Sequence, residues 1–221
     1  MFDINNTVLT ILNYDISFVE LLGTITGLIS VVLAGRNKIS NYPIGIINIV
    51  LFFILFYQIQ MYSDMMEQVY YLIVSIIGWY LWLNPKKENK NKQNSLRITN
   101  NTKRENVRYG VITIVGVILL GTLMKNIHLL MPNLFPLEAS FPYLDAFTTI
   151  LSLLAMYMLA KRKIGNWHLW ILVDIIAVIL YYVKDVKLLS LEYLVFLINA
   201  IISLMYWKKI MKMEEAEVDE K

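Results

Sequence analysis

The feature that most constrains this chain is a series of seven apolar stretches, each close to the length that crosses a lipid bilayer. A membrane-spanning helix needs about 20 mostly apolar residues. The stretches cover residues 17–35, 43–60, 66–83, 109–127, 144–160, 167–183 and 190–207. Of the 221 residues, 57% are hydrophobic and only 17% are charged, whereas a typical globular domain is about 45–50% apolar and about 25% charged. The sequence therefore predicts an all-α integral membrane protein with seven transmembrane helices.

The basic residues are distributed unevenly among the segments that connect these stretches. All Lys and Arg residues except Lys125, Lys184 and Lys187 fall in 36–42, 84–108, 161–166 and 208–221. Because cytoplasmic loops are enriched in Lys and Arg, we expect these segments inside the cell and the N-terminus outside. The segments outside the repeats described below are then an extracytoplasmic N-terminal segment (1–16), a cytoplasmic linker (84–108), a connecting helix with an outer loop (109–143) and a cytoplasmic tail (208–221).

Several classes of protein are excluded by residue content. The chain has no cysteine and only two histidines, His128 and His168, so disulfide frameworks, zinc fingers and thiol catalysis are ruled out. We expect no metal and no cofactor. Because paired catalytic carboxylates and a Ser/His/Asp set are also missing from the pattern, we do not expect an enzyme. The first 14 residues contain no Lys or Arg, which argues against a cleavable signal peptide.

An internal repeat relates the two halves of the chain. When residues 41–82 are compared with 166–207 at a shift of 125, the most informative identities are Asn41/Asn166, Tyr57/Tyr182, Glu67/Glu192 and Trp82/Trp207. The first repeat then covers 17–83 and the second covers 144–207. Because the fourth span returns the chain to its starting side, the two repeats are parallel. This 3+1+3 pattern is typical of transporters such as SWEETs, which place the substrate between the repeats.

Polar and aromatic residues recur at helical spacing inside the predicted spans, where they are costly and often functional. The candidate substrate contacts identified in this way are Asn41, Asn48, Gln68, Tyr71, Trp167, Trp170, Asp174 and Asn199. Tryptophan faces stack on rings and attract cations, and amides can bond hydroxyl groups. No Lys or Arg lies deep in a span, so a phosphorylated substrate is disfavoured. The pattern favours a neutral or cationic ligand with an aromatic ring and a hydroxylated portion.

Structural alternatives exist for some of these residues. Asp174 is equally suited to a helix–helix hydrogen bond, and Trp167 could belong to an interfacial aromatic belt. We expect Trp82 and Trp207 to anchor their spans at the membrane interface. We also expect the acidic residues 214–217 to be a solvated end.

At Asn166-Trp167-His168-Leu169-Trp170 the sequence resembles the PnuC family of vitamin transporters. Further similar motifs are Lys38-Ile39-Ser40-Asn41-Tyr42, Gly78-Trp79-Tyr80-x-Trp82 and Ser190-Leu191-Glu192-Tyr193. The resemblance covers nearly the whole chain apart from the linker and the tail. It implies that Trp167 and Trp170 contact the substrate, with Asn166 and Gln68 beside them.

The same resemblance implies a biological role. It implies uptake of nicotinamide riboside by facilitated diffusion across the bacterial inner membrane, with trapping by a cytoplasmic nicotinamide riboside kinase. It also implies a homotrimer. Nicotinamide riboside has a cationic ring and a ribose, which fits the polar and aromatic faces. Thiamine, another ring-bearing cation, or a further ring-bearing vitamin remains an alternative.

Overall fold

The computed structural model describes residues 6–11, 14–58, 62–84, 97–133, 138–139, 141–183 and 187–219. These residues form seven helices: α1 (Phe18–Gly35), α2 (Asn41–Gln58), α3 (Tyr62–Leu83), α4 (Lys103–Leu130), α5 (Pro142–Ala160), α6 (Gly165–Val183) and α7 (Lys187–Asp219). Each helix coincides with one predicted span to within a few residues, except at the start of α4 and the end of α7. Residues 59 and 60 of the predicted second span lie outside the described residues.

A short antiparallel hairpin precedes α1 and was not predicted from the sequence. Its strands are β1 (Thr7–Ile11) and β2 (Tyr14–Ser17). The hairpin leads directly into α1, because the hydroxyl of Ser17 accepts a hydrogen bond from the backbone N–H of Glu20 and caps the helix. The N-terminal segment therefore contributes two strands to a fold that is otherwise helical in the described residues.

The exposed surface of the helices is apolar, as expected for a chain surrounded by lipid. Among the described residues, α1, α2, α4, α5 and α7 are each long and apolar enough to cross a membrane, and α6 carries a shorter apolar run. Large apolar side chains with half or more of their surface exposed include Ile73, Ile76, Ile114, Ile118, Leu119, Ile198 and Ile202. Soluble monomers rarely expose contiguous apolar patches of this kind. The chain is thus a multi-pass membrane protein.

The described residues divide into two compact units. The first unit lies within Met1–Ile98, Leu159–Arg162 and Ile201–Lys221, and the second lies within Thr99–Met158 and Lys163–Ala200. In the first unit, α2 packs against both α1 and α3. A small apolar core of Val19, Leu51 and Leu55 joins α1 to α2.

The turn between α1 and α2 is closed by a set of hydrogen bonds at the end of α1. Asn37 adopts a left-handed conformation (φ 54°), its N–H donates to the carbonyl of Ala34, and the N–H of Lys38 donates to the carbonyl of Leu33. This pattern is a Schellman motif, which satisfies carbonyls that a helix end leaves open. Asn41 then donates both its backbone N–H and its side-chain Nδ2 to the carbonyl of Lys38, at 3.1 and 2.6 Å.

The turn between α5 and α6 repeats this set 125 residues later. Arg162 is left-handed (φ 51°) and donates its N–H to the carbonyl of Leu159, and Lys163 donates its N–H to the carbonyl of Met158. Asn166 donates its backbone N–H and its Nδ2 to the carbonyl of Lys163, at 3.1 and 2.7 Å. The internal repeat in the sequence is therefore accompanied by a repeat in backbone hydrogen bonding.

Trp82 and Trp207, which occupy equivalent positions in the sequence repeat, make reciprocal contacts inside the first unit. The indole N–H of Trp82 donates to the carbonyl of Ala160 at 3.3 Å, and that of Trp207 donates to the carbonyl of Ala34 at 3.2 Å. The side chains are 7% and 0% exposed, and their ring centroids are 6.2 Å apart. The expectation that they anchor spans at the membrane interface is wrong, because both are buried donors to the last turns of α5 and α1.

Other side chains complete this aromatic cluster. The guanidinium of Arg162 lies over the ring of Trp82, 4.2 Å from its centroid, in cation–π geometry. Tyr42 packs edge-on against the same ring at a centroid distance of 5.2 Å. The contact with Trp82 fixes the position of the Arg162 side chain. The left-handed backbone of Arg162 is itself uncommon for an arginine.

Two boundaries differ from those expected from the sequence. The helix α4 begins at Lys103, inside the predicted linker 84–108, because Thr102 and Glu105 form a reciprocal capping box. The helix α7 continues to Asp219, and the carboxylate of Glu214 accepts the backbone N–H of Ile98 at 3.1 Å. The prediction that residues 214–217 are simply a solvated end is therefore wrong for Glu214.

Replacing Trp207 with Phe tests the importance of the indole–carbonyl bonds. Trp207→Phe removes a buried donor and part of the ring volume, so the free energy of unfolding should fall by about 1–3 kcal/mol. Tyr206→Phe, which removes a hydroxyl from an exposed side chain of the same helix, should leave it unchanged. The measurement is unfolding of the purified protein in detergent. Equal stability of the two variants would contradict a stabilising role for the bond.

Candidate functional site

Four of the sequence-predicted site residues lie together in the first three turns of α6. Asn166 and Trp167 are buried, and Trp170 is half-buried. The N–H of Trp167 donates to the carbonyl of Ile164 at 3.2 Å, so the turn before α6 fixes the position at which the first tryptophan enters the helix. Trp167, Trp170 and Asp174 share a face, since residues three, four and seven apart are neighbours on a helix.

Asp174 is the most unusual residue on this face. Its side chain is only 4% exposed, and within the described ranges no hydrogen bond or ion pair reaches its carboxyl group. A buried carboxylate without a partner is costly and tends to occur where a cation or a proton is handled. The position next to two tryptophans therefore suits a positively charged aromatic ligand.

Asn166 combines a structural bond with a free acceptor. Its Nδ2 closes the turn by donating to the carbonyl of Lys163. Its Oδ1 is buried and, within the part of the chain that the structure describes, accepts no hydrogen bond. Because buried polar atoms are normally paired, this oxygen is a candidate acceptor for a ligand hydroxyl.

The predicted site residues of α2 and α3 belong to the first unit, and two of them have clear structural bonds. The carbonyl of Asn41 accepts the hydroxyl of Ser30 at 2.9 Å. The Nδ2 of Asn48 donates to the carbonyl of Gly23 at 2.8 Å and ties α2 to α1. A Cβ at Gly27 would lie 2.9 Å from the same Nδ2, so glycine is what lets the two helices approach here.

The remaining predicted residues have different environments. Gln68 is buried in α3, and the hydroxyl of Tyr71 lies 3.5 Å from the carboxylate of Glu67. Asn199 is half-buried in α7 of the second unit. The structure thus brings Asn166, Trp167, Trp170 and Asp174 together on α6. Asn41, Asn48, Gln68 and Tyr71 are placed on α2 and α3 of the first unit, and Asn199 on α7.

A cavity of about 360 Å³ lies within the second unit, on a different side of α6. Its lining comes from α4, α5, α6 and the residues before α4, and its polar members are Asn101, Asn106, Tyr109, Thr113 and His168. Trp167 and Trp170 are not among the lining residues. His168, placed between the two tryptophans in sequence, lines this cavity instead.

The contacts that hold the turn before α6 were not predicted from the sequence. The Nζ of Lys163 lies 3.0 Å from the carboxylate of Glu105, and the N–H of Ile164 donates to the carbonyl of Thr99 at 3.0 Å. The pattern Thr102-x-x-Glu105 is a capping-box signature that could have revealed the start of α4. The pairing of Glu105 with a lysine 58 residues away has no comparable signal.

Comparison with known proteins gives consistent matches over most of the chain. The family described as nicotinamide mononucleotide transporter matches residues 17–209. The nicotinamide riboside transporter PnuC of Escherichia coli is 32% identical over 198 residues, covering 82% of this chain and 81% of that protein. The riboflavin/roseoflavin transporter RibM of Streptomyces davaonensis is 22% identical over 193 residues, covering 87% and 85%.

A solved structure is also similar. The crystal structure of the vitamin B3 transporter PnuC superposes with a TM-score of 0.64 and is 25% identical in sequence. The match covers 89% of this chain and 83% of that one. The similarity therefore extends to the helical architecture as well as to the sequence.

Measurements of stability and of transport can distinguish a structural role of Asn48 from a contact with the substrate. Asn48→Ala removes the hydrogen bond between α2 and α1, so the free energy of unfolding should fall by about 0.5–1.5 kcal/mol. Ile47→Ala, at the half-exposed neighbouring position, is the control for side-chain loss on the same helix. Detergent unfolding and transport KM are measured for both. An unchanged stability with a raised KM would contradict the structural role and favour a substrate contact.

Proposed function

The chain belongs to the nicotinamide mononucleotide transporter family of membrane transporters, and we propose that it takes up nicotinamide riboside by facilitated diffusion. The observation that carries the proposal is the face of α6, where Trp167 and Trp170 accompany the buried carboxyl of Asp174, which has no partner among the described residues. Relatives named as nicotinamide riboside transporters, the Escherichia coli protein among them, support the choice of substrate.

The ring and the ribose of nicotinamide riboside each have suitable partners among the proposed site residues. Its pyridinium ring carries a positive charge. This charge favours stacking of the ring on indole faces and attraction to a nearby carboxylate. Its ribose hydroxyls can donate to the Oδ1 of Asn166, which accepts no hydrogen bond from the described residues, and pair with amides such as that of Gln68. Tyr71, Asn48, Asn41 and Asn199 complete the proposed set, although the amide nitrogens of Asn41 and Asn48 are already used within the fold.

The riboside fits better than the mononucleotide after which the family is described. Binding a phosphate group in a membrane protein calls for Arg, Lys or an open helix N-terminus. The helices α1, α2, α3, α5 and α6 contain no Lys or Arg. A phosphate bound among these helices would therefore find no cationic side chain of theirs to pair with.

We propose a parallel 3+1+3 arrangement in which α1–α3 and α5–α7 form the two repeats and α4 connects them. Support comes from the identical hydrogen-bond sets around Asn41 and Asn166 and from the reciprocal bonds of Trp82 and Trp207. The Lys and Arg distribution supports an N-terminus outside and a C-terminus inside the bacterial inner membrane.

Trapping and assembly are further parts of the proposal. Facilitated diffusion only equilibrates the substrate, so net uptake requires a cytoplasmic nicotinamide riboside kinase, whose phosphorylated product this carrier would not hold. The chain itself performs no chemical step. The family resemblance supports a homotrimer, and the strongly exposed apolar surface of α4 leaves room for contact with lipid or with a neighbouring copy.

The alternative substrate is thiamine or another ring-bearing vitamin. Thiamine also combines a cationic ring with a hydroxyl group, so the α6 face alone fits both. The similarity to a protein named as a riboflavin/roseoflavin transporter adds riboflavin as a competitor to test.

The substrate is tested by uptake of labelled nicotinamide riboside into proteoliposomes. Uptake should saturate, and unlabelled riboside should compete while thiamine, riboflavin and nicotinamide mononucleotide should not. Trp170→Ala should lower uptake about tenfold or more, since the ring loses a cation–π partner. Tyr182→Ala, at an exposed aromatic position of the same helix, should leave uptake unchanged. Non-saturable uptake by the wild-type protein would contradict the proposed substrate.

The proposed role of Asp174 is tested with a charged and a neutral ligand. Asp174→Asn preserves the shape of the side chain and removes its charge, so affinity for cationic nicotinamide riboside should fall roughly tenfold or more. Binding of the neutral, reduced dihydronicotinamide riboside should change little. Equilibrium binding to the purified protein measures both. Equal losses for the two ligands would show that the carboxylate does not act as the counter-ion.

A further inference from the structure

The two equivalent turns share one backbone geometry but differ in what surrounds them. Before α2, Ile39 is 36% exposed and Lys38 is exposed. Before α6, the equivalent Ile164 is 3% exposed, and the side chain of Lys163 is 18% exposed. The second turn is therefore covered by a part of the chain that has no counterpart at the first turn.

The covering element is the segment 99–102, which leads into α4. Thr99 forms a parallel bridge with Lys163, and the N–H of Ile164 donates to the Thr99 carbonyl at 3.0 Å. The Nδ2 of Asn101 lies 3.7 Å from the sulfur of Met158. The same amide lies against Gly165, where any side chain would collide with it. This segment therefore packs directly on the residues that begin α6.

An ion pair joins the turn to α4. The Nζ of Lys163 lies 3.0 Å from Oε2 of Glu105 and also donates to the carbonyl of Asn100 at 3.4 Å. The same Glu105 oxygen accepts the N–H of Thr102 in the capping box. One carboxylate thus fixes both the start of α4 and the cation of the turn.

We propose that Lys163 and Glu105 are positioning residues for substrate binding. This inference rests on the proposed function, in which Trp167 and Trp170 contact the riboside. The carbonyl of Lys163 accepts two hydrogen bonds from Asn166, so the position of Lys163 sets the start of α6. A binding site loosens when the residues that support its contact groups are free to move. The helix α4 then takes part in recognition, although the sequence predicts it only as a connecting helix.

The internal repeat supplies a matched control. Lys38 occupies the equivalent position in the first turn, with its carbonyl bonded by Asn41 in the same way, but its side chain is exposed. A general effect of losing a turn lysine would appear in both variants. An effect confined to Lys163 would come from the pairing with Glu105.

The test measures transport KM and Vmax in proteoliposomes, with Vmax normalised to folded protein. Lys163→Gln and Glu105→Gln should each raise KM for nicotinamide riboside about three- to tenfold with little change in Vmax. Glu105→Gln is suitable because glutamine still completes a capping box. Lys163→Arg, which preserves the charge pair, should keep the wild-type KM, and so should Lys38→Gln.

The double variant Lys163→Gln/Glu105→Gln provides the decisive comparison. If the two residues act as one pair, the double variant raises KM no more than either single variant. Additive effects, an unchanged KM in Lys163→Gln, or an equal effect of Lys38→Gln would each overturn the positioning role while wild-type uptake stays normal. If the wild-type protein itself showed no riboside uptake, the proposed function would be overturned, and this inference with it.

Discussion

The hydrogen bonds with which Asn41 and Asn166 close their turns determine where the second helix of each repeat begins. A helix end leaves carbonyl groups without intrahelical partners, and hydrogen bonds within the following turn can satisfy them. After α1 and α5, a left-handed residue and the residue that follows it return backbone N–H groups to such carbonyls. The amides of Asn41 and Asn166 then bind carbonyls within the turns themselves. On α6 this start position fixes the helical register of Trp167, Trp170 and Asp174, and hence the face proposed to bind the substrate.

The same helix ends receive the indole donors of Trp82 and Trp207. Each bond contributes only about 0.5–1.5 kcal/mol net, whereas a buried indole N–H left without an acceptor costs about 1–3 kcal/mol. The arrangement is reciprocal, with each tryptophan reaching the first helix of the other sequence repeat. The repeat is therefore maintained by tertiary hydrogen bonds as well as by similar local structure.

Most of the fold could be predicted from the sequence because lipid imposes a simple requirement on helix length and polarity. The prediction failed where that requirement does not act. The first turn of α4 is charged, so its start at Lys103 was invisible to an apolar pattern. The burial of Trp82 and Trp207 depends on carbonyls far away in the chain. The position of each tryptophan beside basic residues in the sequence cannot reveal these contacts.

Part of the candidate site could also be predicted from the sequence, because helical spacing determines which residues share a face. Helical spacing placed Trp167, Trp170 and Asp174 on one face, and the structure has them there. Residue type alone could not distinguish Asn48, whose amide nitrogen ties two helices together, from Asn166, whose Oδ1 is left without a partner among the described residues. It also could not reveal that Lys163 pairs with Glu105, because that contact depends on tertiary structure.

A structure of the protein with nicotinamide riboside bound would show whether the α6 face binds a cationic ring. We expect the pyridinium ring to stack on Trp167 or Trp170, within about 7 Å between ring centroids, with the carboxylate of Asp174 on the same side. Density for the ligand elsewhere, such as in the cavity lined by Tyr109 and His168, would contradict it.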